Sequence, residues 1–118
     1  MSGGDWKEMY VAAQRGNFDL VRYHIENGIN PNYQHPEILA TPLVAALSGG
    51  HTEIALYLLE RNADPHLKSF FDDMTPLQAA VHYGNDVVAR ELKLRGARMP
   101  RSKFSKLWFG FLKFFRRS

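Results

Sequence analysis

Apolar and small residues recur at a fixed step of 34 positions along most of this chain, a longer period than any single helix or strand produces. Leu20, Ile54 and Val88 share the step, as do Ala12, Ala46 and Ala80, and Gly16, Gly50 and Gly84. Within each period the finer spacing is helical. Ile54, Leu58 and Leu59, and again Val88 and Leu92, fall on one buried helix face. The pattern predicts a helix over Asp19–Glu26, Glu53–Arg61 and Asp86–Arg95.

A shorter helix precedes the last two of these. Thr41-Pro42-Leu43-Val44-Ala45-Ala46 returns as Thr75-Pro76-Leu77-Gln78-Ala79-Ala80. Each threonine suits a helix N-cap, where its hydroxyl accepts from an otherwise unpaired backbone N–H. Each proline then occupies the first helical position, where a missing N–H costs nothing. The alanine pairs allow close approach of a neighbouring helix, and Gly50 and Gly84 end the short helix in a tight turn. The longer helices close on Gly28, Asn62 and Gly96, the two residue types that best tolerate a left-handed backbone.

These residues resemble the ankyrin repeat: the Thr-Pro-Leu opening, the paired alanines, the Gly50-His51 turn and the Asn62-Ala63-Asp64-Pro65 close. The resemblance covers a repeat domain over 1–99, with repeats at about 5–38, 39–72 and 73–99, followed by a basic, aromatic amphipathic helix over 100–118. It implies an all-α fold, a solenoid of three helix-turn-helix repeats with loops projecting to one side, plus that C-terminal helix. It also implies a module that binds proteins and does no catalysis.

The departures carry expectations of their own. The period is one residue longer than the usual value of about 33, so the connecting loops should be extended. Val44 and Gln78 replace the histidine that normally follows Thr-Pro-Leu, and the first repeat offers Lys7-Glu8-Met9 in place of that opening. His24 stands where Leu58 and Leu92 stand later, which suggests a solvent-facing terminal cap. Three repeats are near the minimum for a continuous core. The end after Gly96-Ala97 is therefore expected to expose apolar surface unless something covers it.

By the resemblance, partner contacts fall beside Thr-Pro-Leu and at the end of each first helix. The candidates are Glu37, Ile38 and Ala40 before Thr41, then Ser48 and Gly49; Phe71, Asp72 and Met74 before Thr75, then His82 and Tyr83; and Gln14 and Arg15 in the first repeat. The loop Lys68–Met74 sets two adjacent aromatics beside two acids, as interface hot spots do, although either ring could instead fold back as local core.

Composition narrows the chemistry. With no cysteine there are no disulfides, thiolate zinc sites or cysteine nucleophiles. His24, His35, His51, His66 and His82 show neither helical pairing nor zinc spacing, and His51 fits a structural role in the Gly-His turn. Asp72-Asp73 reads as a solvated turn, and there is no phosphate-cradling glycine loop or nucleophile elbow. No catalytic residue, cofactor, metal or small-molecule substrate is expected. The first residues lack a basic and apolar leader, and no apolar run of about 18 residues occurs, so a cytoplasmic location is expected.

The net charge of +3 hides an asymmetry. Residues 1–100 hold nine Lys/Arg against all twelve Asp/Glu, whereas residues 101–118 hold six cations and no acid. At helical spacing Phe104, Leu107, Trp108, Phe111, Leu112, Phe114 and Phe115 share one face, and Lys106, Lys113, Arg116 and Arg117 the other. One reading is a helix that caps the open end of the stack, in a protein whose role is structural assembly. Another is an interfacial helix on the cytoplasmic face of an anionic membrane, touching it through Lys106, Leu107, Trp108, Phe111, Lys113, Phe115, Arg116 and Arg117. Nucleic acid or an acidic protein groove would suit the same pattern, but no nucleic-acid module accompanies it. The function expected is capture of a protein partner by loop tips and concave face, with the tail on a membrane.

Overall fold

The computed structural model describes residues 3–100. They form three helical hairpins: α1 (Gly3–Arg15) with α2 (Phe18–Glu26), α3 (Pro42–Ser48) with α4 (Thr52–Glu60), and α5 (Pro76–His82) with α6 (Asp86–Leu94). The hairpins stack in a row, α1 on α3 and α3 on α5, with α2, α4 and α6 packed behind them in the same order. This is the all-α repeat architecture that the 34-residue step predicts, with the longer helices shifted by only a residue at their ends.

The helix starts follow from their caps. The Thr41 hydroxyl accepts from the Val44 N–H at 3.2 Å, and Pro42 opens α3. At α5 the Thr75 hydroxyl accepts from the Gln78 N–H, while the Gln78 side-chain oxygen accepts from the Thr75 N–H at 2.9 Å. Gln78 thus completes a reciprocal capping box that Val44 cannot form. Asn17 and Asn85 cap α2 and α6 in the same way. The helix ends at Gly28, Asn62 and Gly96 have φ of 93°, 73° and 93°, the left-handed backbone expected there.

Packing rests on the recurring apolar set. Trp6, Met9, Val21, Leu43, Leu47, Ile54, Leu58, Leu77, Val88 and Leu92 are buried in one continuous core, and Ala46, Ala79 and Ala80 let neighbouring helices approach. Burying each large side chain contributes about 1.5–3 kcal/mol.

One expectation needs correction. His24 does not face solvent: it is buried, with Nε2 3.6 Å from a Glu8 carboxylate oxygen. Helix α1 runs to 13 residues and lies against α2, so it covers the position. The last hairpin exposes apolar side chains, interrupted by polar ones. The positions of Val44, Leu56 and Leu59, buried or half-buried, are taken there by Gln78, Arg90 and Lys93, the latter two exposed. Val81, at the position of the buried Leu47, is half exposed, as are Val87 and Met99, and Leu94 more so.

Candidate partner-binding surface

Two long loops join the hairpins, and they are hydrogen-bonded to each other along their length. Near their bases, the Asn32 amide donates to the Asn62 carbonyl at 2.8 Å and its oxygen accepts from the Asp64 N–H at 2.7 Å. Toward the tips, the N–H groups of Phe70 and Phe71 both donate to the Leu39 carbonyl, at 2.9 and 3.2 Å. Ser69 pairs with Met74 as an antiparallel bridge, turning the second loop into a short hairpin. The buried Ser69 hydroxyl accepts from the Thr41 N–H at 3.3 Å and donates to the Asp72 carboxylate at 2.6 Å.

This ladder holds three apolar side chains out toward solvent. Leu39 is 42% exposed, Phe70 57% and Phe71 70%. Leu39 and Asp73 both have φ of 55°, an unfavourable backbone for residues with a Cβ, sustained by the surrounding hydrogen bonds. Lys68 pairs with Asp73 at 2.7 Å and lies 5.7 Å from the centre of the Phe70 ring, giving the apolar tip a charged border.

An aromatic cluster supports the first loop. The buried Trp6 ring stacks on Tyr10 at 5.4 Å and on His35 at 5.6 Å, and Tyr33 meets it edge-on at 6.2 Å. Burial, and after it the negative charge of Asp72, push the Tyr10 hydroxyl above the ordinary tyrosine range. Tyr10 of α1 and Asp72 of the second loop are thus electrostatically coupled.

The sequence-derived contact residues divide by environment. Gln14, Arg15, Glu37, Phe71, His82 and Tyr83 are exposed. Glu37 pairs with Lys7 at 3.3 Å, and His82 meets Tyr83 edge-on at 4.7 Å. Ile38 and Met74 are half-buried against the core and anchor the loops. The Ser48 hydroxyl donates to the Ala45 carbonyl, Asp72 is held by Ser69, and Ala40 is fully buried. Glu37, Ile38, Phe71, Asp72 and Met74 are brought together by the joined loops. Tyr83 instead lines a shallow groove of about 400 Å³ with Gly50, Thr52, Asn85 and Val87, at the turns between paired helices.

The sequence points to neither Leu39 nor Tyr33 nor Tyr10. The doubled aromatics signalled Phe70, but nothing periodic marks the other three. Lys106, Leu107, Trp108, Phe111, Lys113, Phe115, Arg116 and Arg117, and all but Pro100 of the tail helix expected over 100–118, lie outside the described residues.

The polar groups near this surface are engaged one by one rather than aimed at a common point. Asp72 is tied to Ser69 and Asp73 to Lys68, so the adjacent acids do not act as a pair. His51 Nε2 lies 3.1 Å from the Gln14 carbonyl, and His35 Nδ1 accepts from the Glu37 N–H. Among the described residues, no three His, Asp or Glu side chains are grouped to hold a metal ion, and no helix is long and apolar enough to cross a membrane.

A family model described as ankyrin repeats, in three copies, matches residues 9–101. Among curated relatives, ankyrin repeat-containing protein P1E11.10 of Schizosaccharomyces pombe is 38% identical over 69 residues, which cover 58% of this chain and 32% of that protein. Ankyrin repeat and SAM domain-containing protein 6 of Mus musculus is 30% identical over 94 residues, 76% of this chain and 10% of that protein. The chain thus spans a third or less of the length of these relatives. A chain in the solved complex of the predatory endopeptidase Bd0816 from Bdellovibrio bacteriovorus with the immunity protein Bd3460 superposes with a TM-score of 0.68 at 33% identity, over 78% of this chain and 47% of that one.

Proposed function

The chain belongs to the ankyrin repeat family, whose repeats mediate protein–protein interaction, and from that premise we propose that it is a non-catalytic module capturing a protein partner on its joined loop tips and concave face. The observation that carries this reading is the trio Leu39, Phe70 and Phe71, presented side by side from two hydrogen-bonded loops and bordered by Lys68 and Asp73. Exposed apolar rings on a rigid support with a polar rim lose little freedom on binding, which is what strong anchor residues require. Gln14, Arg15, Glu37, His82 and Tyr83 supply the surrounding contacts. The similarity to a chain from a complex of two proteins is in keeping with this role.

Residues 1–99 act as the binding domain in this reading, and 100–118 as a separate element that docks on an anionic membrane at its cytoplasmic face. Six cations without an acid, interleaved with Trp108 and five phenylalanines, support that docking. The competing role is an assembly subunit whose tail only lids the stack; the half-exposed Val81 favours such a lid, and Gln78, Arg90 and Lys93 do not.

Hydrogen–deuterium exchange on the chain with a captured partner tests the binding face. Added protection over residues 33–39 and 69–74 supports the proposal. Protection confined to the backs of α2 and α4 contradicts it.

A further inference from the structure

The outward face of α6 breaks a rule that the two earlier hairpins keep. At its centre α2 carries Asp19, Arg22 and Glu26, and at the same register α4 carries Glu53, Leu56 and Glu60, with all four acids exposed. In α6 these places hold Val87, Arg90 and Leu94, spread over about 60° of the helix and opposite the buried Val88, Ala89 and Leu92. Val87 is 55% exposed and Leu94 77%, so neither holds up the core. Just beyond, the buried Ala97 pins the chain and leaves Arg98 exposed and Met99 50% exposed. Two aliphatics replace two acids at exposed positions of the helix.

Charge changes at the same place. Residues 1–85 hold five Lys/Arg and ten acids; residues 86–118 hold ten Lys/Arg and two acids, Asp86 and Glu91. Glu91 is committed to Arg95 at 2.9 Å. Among the described residues, no carboxylate is within ion-pair distance of Arg90, Lys93 or Arg98, which leaves three free cations around Val87, Leu94 and Met99.

We propose that this face, from Val87 to Met99, is a docking surface for an anionic lipid bilayer. It rests on the membrane reading of residues 101–118 and extends it into the repeat stack. Arg90, Lys93 and Arg98 meet headgroup phosphates and carboxylates, while Leu94 and Met99 enter the headgroup boundary. A nucleic acid would reward the cations alone. A bilayer surface rewards cations and exposed aliphatics together. The net acidic charge of residues 1–85 is repelled from the same surface, which favours contact through the α6 end.

Co-sedimentation of the full chain with vesicles of phosphatidylcholine alone, and of phosphatidylcholine mixed with phosphatidylserine, tests this. The intact chain binds only the mixed vesicles, and added salt weakens it. The double variant Val87→Glu/Leu94→Glu installs the acids of the earlier hairpins at exposed sites, so its melting temperature stays close to that of the intact chain. Its partition onto mixed vesicles falls about tenfold or more, an effect of two reversed surface contributions. Arg22→Glu, on the outward face of α2, leaves binding unchanged. Should the double variant melt early, Arg90→Gln/Lys93→Gln serves in its place, and a loss of several-fold is expected. If the α6 variants bind like the intact chain while Lys106→Glu/Lys113→Glu does not, the tail alone docks and this inference falls. If the intact chain ignores phosphatidylserine, both readings fall. Tighter binding to a single-stranded oligonucleotide than to vesicles would also overturn it.

Discussion

The ring Nε2 of His51 stands 3.1 Å from the carbonyl oxygen of Gln14, so a side chain of the second hairpin closes the end of a helix in the first. The same ring lies over Gly16 and Gly49, and at both glycines a Cβ would run into it. At Gly49 the added methyl would also meet the Gln14 carbonyl, a backbone atom that cannot turn aside. Neighbouring hairpins are thus locked by one histidine and two bare backbone positions.

Gly49→Ala should lower unfolding free energy by about 1–3 kcal/mol, the usual cost of overpacking. Its φ of −84° is ordinary, so the loss comes from the clash alone. Gly28→Ala, in open space at φ of 93°, should cost only about 1 kcal/mol, for the left-handed backbone. Urea unfolding of the two variants side by side checks the order.

His24 is buried, and its Nε2 makes no hydrogen bond among the described residues. The equivalent positions hold Leu58 and Leu92, both fully buried. His24→Leu should therefore stabilise the fold by about 1–2 kcal/mol, by removing a polar atom that is desolvated without a partner. A fall in urea midpoint would show that the contact with Glu8 outweighs that cost.

Tyr10 ties stability to alkaline pH. Its hydroxyl is held above the ordinary value of 10.0, first by burial and then by Asp72, so the folded state retains a proton that the unfolded chain releases. The resulting stability is complete below about pH 10 and declines as pH rises beyond it. Tyr10→Phe should flatten that decline, and Asp72→Asn should reduce it partly. Urea midpoints measured from pH 8 to 11 separate the three chains.

Asn62 closes α4 at φ of 73°. Asn62→Gly should be close to neutral, while Asn62→Ala should cost about 1 kcal/mol. Thermal melts of both variants are sufficient to see the difference.

That left-handed close illustrates what the amino-acid order reveals and what it hides. Thr41 and Thr75 cap helices, Asn62 turns the chain, and Leu58 and Leu92 fill a core. Each role depends on a few neighbouring residues and returns at the same step, so repetition makes it legible. His24 lies on that step too, but its burial depends on how far α1 extends over it. The loops have no such period. Nothing near Leu39 indicates that its carbonyl takes two amides from a loop some thirty residues later, and nothing periodic indicates that Trp6, Tyr33 and His35 meet. The binding surface was therefore half visible: the doubled phenylalanines stood out, and their partner Leu39 did not. Val87 and Leu94 were visible in the register against Glu53 and Glu60, but their meaning required knowing that all four face outward.

The claim that joined loop tips capture a protein is tested most directly by titrating a captured partner against the intact chain and Phe71→Ala. With its ring 70% exposed, Phe71 contributes little to the core. The expected result is a loss of at least about tenfold in affinity, typical of an anchor residue, with an unchanged melting temperature. Equal affinity for both chains, or a melting temperature that collapses, would contradict it.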